Sequence, residues 1–274
     1  MPLPKTSWLA VGRGHSRQSI DRPGIFSSLE DRFPVAKRAM WSGFAADDIM
    51  MSPLQRFWSK GRFALSRRLR RPVPGRFQPY IYTLPDRYPW LFRFARSALS
   101  DVPAPRLLSF GCSTGDELAS LRHVFPQANI RGLDIAPSAI AGCRARFACD
   151  DRVSVAVAAS TAGEPDESYD AVFCLAVLCH GDLTVSRARR SDPLFPFANF
   201  ERAVADLARC VRPGGYLFIH TSNFRFCDTA TAPLFETVLE AQPEQIAADL
   251  LYDRNNCLLE AMRYYPVGFR KRVS

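Results

Sequence analysis

From residue 106 onward the apolar positions follow a repeating rhythm. Short apolar runs predict strands over 107–110, 130–134, 153–158, 169–178 and 216–219. Between them the apolar residues fall three and four apart. Leu118, Leu121 and Val124 predict a helix over 116–124, and a second is predicted over 137–147. Phe200, Val204, Leu207 and Val211 form a helical stripe that stops at "RPGG". The 169–178 run is apolar almost throughout, as a strand covered on both faces requires. Strand and helix alternating in this way predict a doubly wound, mostly parallel α/β sheet with helices on both faces.

Upstream the rhythm is absent. Residues 1–50 show little periodicity and recurrent Gly and Pro, so irregular structure is expected. The stretch "PLQRFWSKGRFALSRRLRR" is basic and aromatic; Leu65 and Leu69 permit a short helix ending before Pro72. "FQPYIYTLPDRYPW" over 77–90 is too proline-rich for regular structure and is expected to be a linker or lid. A helix follows over 90–99, with Leu91, Phe94, Ala95 and Ala98 on one face. The predicted organisation is a basic, partly irregular N-terminal extension or lid over 1–80 and a ligand-binding domain over 81–274.

Charge sharpens that division. Residues 1–80 hold 15 Lys+Arg against 5 Asp+Glu, and the remainder holds 21 against 22. The whole net charge of +9 therefore sits in the extension. Basic residues interleaved with Phe and Trp suit nucleic acid or an anionic surface through residues 53–76; a solvated arm is the alternative. Eight cysteines are scattered without C-x-x-C or a zinc-spaced His pair, so reduced thiols and no metal site are expected. The start of the chain has no apolar segment of signal type, and the longest apolar run, 171–179, is far short of a membrane span. A cytoplasmic protein is expected.

The chemistry is concentrated in "LLSFGCSTGDE" over 107–117. A strand leads into Gly-x-Ser-x-Gly, and two acids follow. In open parallel sheets such a turn, at the carboxyl end of the first strand, is where ligands bind. Gly111 and Gly115 let the backbone approach a ligand closely. In the register of the dinucleotide fingerprint the third glycine is replaced by Asp116, which repels a pyrophosphate at the helix N-terminus. A ligand with a cationic amino group suits Asp116 or Glu117 better. Thr114-x-x-Glu117 also fits a capping box, which explains the acids without any ligand. Asp134 ends the second strand 23 residues after Gly111, near the spacing of a ribose-binding carboxylate.

Four segments in order, "LLSFGCSTGDE", "IRGLDIAPSAI", "YDAVFCLAVLCH" and "LARCVRPGGYLFI", resemble the class I S-adenosylmethionine-dependent methyltransferases. The resemblance covers about residues 90–274, and "GCSTGDE" is most similar to the subset that includes the chemotaxis-receptor methyltransferases. It implies a Rossmann-like seven-stranded sheet with one antiparallel strand near its edge, the last hairpin supplied by 251–272. It implies S-adenosyl-L-methionine as cofactor. Gly111, Cys112, Ser113 and Gly115 would line its methionine part, Asp134 would hold the ribose, and Ile135 would meet the adenine. Leu175 and Ala176 would sit beside the methionine. Ala159 and Ser160 fall where family members often carry an acid for the adenine amine, and Ser109 where many carry an acid in the first strand. Glu117 is the candidate to replace the latter.

A sulfonium methyl is already activated, so transfer needs positioning and exclusion of water more than acid–base help. His180, Asp182 and His220 are candidates should a general base be required; a structural role is the alternative for each histidine. Tyr80, Tyr82 and Tyr88 are lid candidates, and the insertion over 182–197, with its "RARR", a candidate substrate wall or anion contact. No Asp/Asn-Pro-Pro-aromatic motif follows the fourth strand, and Cys179 lacks a Pro-Cys context; both demote nucleobase methylation. Two functions are left. One is a methyltransferase for a small-molecule acceptor. The other is a non-catalytic protein of the same fold, working through its basic arm.

Overall fold

The computed structural model describes residues 76–78, 83, 86–246 and 250–273. By internal contacts the chain divides into Met1–Gly61 and Arg62–Ser274, and all described residues lie in the second unit. The predicted helix at Leu65–Leu69, Tyr80, Tyr82 and nearly all of the basic extension lie outside the described residues.

Helix α1 (Pro89–Ala98) opens the domain, with Pro89 in its first turn, where the missing N–H costs nothing. Strand β1 (Arg106–Phe110), helix α2 (Asp116–Val124), β2 (Asn129–Asp134), α3 (Pro137–Arg146), β3 (Val153–Val157) and β4 (Tyr169–Leu175) then alternate as predicted. A short helix α4 (Gly181–Ser186) precedes α5 (Phe197–Cys210), β5 (Val211–His220), β6 (Phe235–Glu240) and β7 (Pro266–Lys271). The seven strands lie in the order β3-β2-β1-β4-β5-β7-β6. β7 runs antiparallel to both β5 and β6; the other pairs are parallel. This is the doubly wound, Rossmann-like sheet of class I methyltransferases.

Two apolar layers hold the sheet, one on each face. All seven residues of β4 are buried, as expected for a central parallel strand. On one face Phe92 of α1 meets Phe173 edge-on at 5.8 Å, and Phe173 stacks on Phe218 at 5.0 Å. These contacts dock α1 so that the residues just before it, Arg87 and Tyr88, reach the carboxyl ends of β1 and β4. The strand order reverses there, and a cleft opens.

Three predicted boundaries are corrected. β4 ends at Leu175 rather than 178, because Ala176 turns into the left-handed region with φ +59°. β5 begins at Val211, not 216. Val211 pairs with Tyr169 and pairing resumes at Ala171 with Tyr216, so the intervening "RPGG" bulges from the ladder, where Pro213 needs no strand partner. The last hairpin takes its first strand from Phe235–Glu240 rather than from 251–265. That later stretch folds as irregular connection between β6 and β7 and meets the carboxyl end of β5.

Candidate active site

The glycine turn is shaped by two backbone positions. Gly111 has φ +81°, and its N–H and that of Cys112 both donate to the Leu133 carbonyl, at 2.7 and 3.0 Å. A Cβ at Gly111 would stand 2.3 Å from Val177 Cγ2, so only glycine fits this crossing beneath the loop after β4. Gly115 caps α2 with φ +92°, and a Cβ there would meet Phe147 at 2.9 Å and Cys143 Sγ at 3.0 Å. The capping box expected from Thr114 and Glu117 does not form: no side chain caps α2. Glu117 is therefore available for another partner.

That partner is Ser109. Its hydroxyl donates to Glu117 Oε1 at 2.7 Å. Serine in the strand and glutamate one helical turn away thus occupy the place of a strand-end acid together. Burial raises the Glu117 carboxyl to about 7, against the opposing pull of the Ser109 hydrogen bond and the Arg87 guanidinium. Asp134 accepts from two backbone donors, Ser113 N–H on Oδ2 at 2.9 Å and Ala136 N–H on Oδ1 at 2.8 Å. One carboxylate thereby ties the glycine turn to the end of β2, and each oxygen keeps a further lone pair. Ser113 is buried with φ +49°, and its hydroxyl has no hydrogen-bond partner.

Eight of the expected residues share one cleft: Gly111, Cys112, Ser113, Glu117, Asp134, Ile135, Leu175 and Ala176. Its enclosed volume is about 100 Å³, and it opens to solvent at its mouth. Gly115 stands behind it, shaping the turn from below. Ser160 does not line it; Ala158 and Ala159 do, so no acid stands at the expected adenine position. The cleft also takes Arg76, Phe77, Gln78, Arg87 and Tyr88, of which the sequence pattern singled out Tyr88 alone. Arg87 escaped because it lies in a proline-rich stretch without periodicity; docking of α1 brings it to Glu117.

None of the three candidate bases lines this cleft. His220 is 3% exposed and both ring nitrogens are engaged, Nε2 with the Gln245 carbonyl at 3.0 Å and Nδ1 with Thr221 Oγ1 at 2.8 Å. The carbonyl can only accept, so Nε2 carries the proton and Thr221 donates to Nδ1. Burial pushes its pKa down to about 4, with the Arg87 charge adding and Gln245 opposing. His180 precedes α4, its backbone N–H bonded to Asn223 Oδ1 at 2.7 Å, and Asp182 is buried in the first turn of that helix. In the insertion, Arg189 and Arg190 pair with Glu260 and Asp192.

This geometry defines a class. A glycine turn at the switch point, a carboxylate at the end of β2 and a mixed sheet of this order are those of a class I S-adenosylmethionine-dependent methyltransferase. Residues 108–219 match the family described as "Methyltransferase domain". The chain is 29% identical over 161 residues to a fatty-acid O-methyltransferase of Mycolicibacterium smegmatis, covering 59% of this chain and 52% of that protein. It is 35% identical over 89 residues to a trans-aconitate 2-methyltransferase of Methylobacterium radiotolerans, covering 31% of this chain and 33% of that one. The matched stretch thus spans about half of the first relative and a third of the second. Among solved structures it is similar to the N-methyltransferase NodS of Bradyrhizobium japonicum, with TM-score 0.45, 15% identity, and 69% and 96% of the two chains covered.

Proposed function

We propose that the chain transfers a methyl group from S-adenosylmethionine to a carboxylate of a small molecule. The observation that carries the cofactor assignment is the pairing, in one cleft, of a buried orphan hydroxyl on Ser113 with two carboxylates of different character. Asp134, already fixed by two N–H donors, would accept from ribose hydroxyls. Glu117, buried and poised near neutrality, suits the amino group of the methionine part, and Arg87 suits its carboxylate. When bound, the cofactor supplies a methyl group activated by a sulfonium. Gly111 and Ala176 bring backbone close to it, and the α1 approach at Arg87 and Tyr88 excludes water.

The acceptor class is inferred from what the site lacks. Both nitrogens of His220 are occupied, and His180 stands outside the cleft, so neither is positioned as a general base. A carboxylate needs none: it is ionised at neutral pH and attacks without losing a proton. The printed names of the two curated relatives given above point to carboxylic acids. The alternative of a non-catalytic, polyanion-binding protein rests on residues 53–76, which apart from Arg76 lie outside the described residues, and it draws no support from the cleft. We keep a cytoplasmic location as part of this reading; among the described residues no helix is long and apolar enough to cross a membrane.

The test is methyl transfer from S-[methyl-³H]adenosylmethionine to a panel of mono-, di- and tricarboxylic acids, beside amines and alcohols of equal size. Label recovered as base-labile ester supports the reading. Label entering only amines or alcohols overturns the acceptor class.

A further inference from the structure

A second cavity lies at the carboxyl end of β5, roofed by the irregular connection between β6 and β7. Its volume is about 530 Å³. Apolar side chains, Ile219, Phe224, Phe226, Leu259, Met262 and Val267 among them, make up the larger part of its wall, and Thr221, Ser222 and Tyr264 add polar surface. Met262, a large apolar side chain, is 43% exposed at this surface. Two cations, Arg187 and Arg263, complete the lining at its exposed edge, and no described lining residue is acidic. Neither guanidinium has an ion-pair partner among the described residues, in contrast to Arg189 and Arg190 next along the chain. Arg187 owes its direction to the end of α4, where it adopts φ +48°.

The cavity abuts the cofactor cleft. Ala176 N–H, in the cleft wall, donates to the carbonyl of His220, in the cavity wall, at 2.8 Å. Across the same boundary the ring of Tyr88 packs on that of His220 at 4.8 Å. The two spaces therefore share a wall at the carboxyl ends of β4 and β5. His220 Nε2, bonded to the Gln245 carbonyl, pins that wall close to the roof of the cavity.

We propose that this cavity holds the apolar body of the methyl acceptor, a long-chain carboxylate that Arg187 and Arg263 draw in by its charge. The acceptor role rests on the carboxylate reading above; the binding preference for an apolar anion does not. In the transfer a carboxylate oxygen lone pair attacks the methyl carbon, and the carbon–sulfur bond breaks with its pair left on sulfur. A neutral ester and a neutral thioether result, and no proton moves. An apolar chain gains roughly 0.8 kcal/mol for each methylene it buries, so chain length is what the cavity discriminates.

The test uses the full chain with decanoate, 1-decanol and propionate, with S-adenosylhomocysteine titrated separately. Decanoate is expected to bind and to be methylated at least about a hundredfold more efficiently than propionate, the gain from burying roughly four of its extra methylenes. Leu259→Asp places a charge in the apolar wall and should abolish decanoate binding while S-adenosylhomocysteine binds unchanged, which shows that the variant is folded. Arg187→Gln with Arg263→Gln should raise KM for decanoate about fivefold with kcat within about twofold, and leave 1-decanol binding unchanged. S-adenosylhomocysteine bound but decanoate neither bound nor methylated, or decanoate indifferent to Leu259→Asp, overturns the cavity assignment and leaves the cofactor reading standing. Failure to bind S-adenosylhomocysteine overturns that reading, and with it the acceptor role.

Discussion

On the proposed reading, Glu117 would make cofactor binding a proton-linked event. Its carboxyl is buried and raised to about 7, so at pH 7 roughly half the molecules carry it protonated. A ligand ammonium beside it favours the ionised form. Binding at pH 7 should therefore release about half a proton, and the affinity for S-adenosylhomocysteine should fall about tenfold from pH 8 to pH 6. The assay is calorimetric titration at pH 6, 7 and 8, repeated in two buffers of different ionisation enthalpy to count the protons. Glu117→Gln keeps an acceptor for Ser109 but cannot ionise. It should bind about tenfold more weakly at pH 8 and show a flat profile. The apo protein gives the opposite sign. A carboxyl whose pKa is raised on folding stabilises only while protonated, so stability is lost as pH rises through about 7, and Glu117→Gln should melt higher than wild type at pH 8. A wild-type affinity independent of pH between 6 and 8, with no proton released, would refute the placement of Glu117 against the amino group.

Other substitutions probe the same frame. Asp134→Asn leaves one backbone N–H facing an amide donor, and should cost about 2 kcal/mol of stability and most of the cofactor affinity, read by melting and titration together. Gly111→Ala drives a methyl into Val177 at a positive φ; about 3 kcal/mol of destabilisation is expected in urea unfolding, and a wild-type midpoint would contradict the geometry. His220 is held neutral with its pKa depressed to about 4, so its stabilising contribution is present above pH 6.5 and lost as pH falls from 6.5 to 4. Wild type minus His220→Asn should lose about 3 kcal/mol over that window in chemical unfolding.

Much of the site was legible because its parts are local. Gly111, Gly115 and Asp134 declare themselves by backbone need and spacing, and α2 falls on its predicted bounds, Asp116–Val124. What was not legible depends on tertiary contact. The Ser109–Glu117 pair joins two elements, and only its proximity shows that a serine in the strand is completed by a glutamate in the helix. Arg87 reaches the cleft because Phe92 docks on Phe173, a contact without periodic signal. β6 was missed because an edge strand half-exposed along its length shows weak alternation. The second cavity is built from β5, β7 and an irregular connection, and no stretch of sequence contains it.

The central claim is a cofactor site at the glycine turn after β1. Its most direct test is titration of the full chain with S-adenosylhomocysteine, beside Asp134→Ala. The account predicts one site per chain with micromolar affinity, lost in the variant while it still melts cooperatively. No binding to the wild type at millimolar ligand, by heat or by shift of the melting temperature, would contradict it.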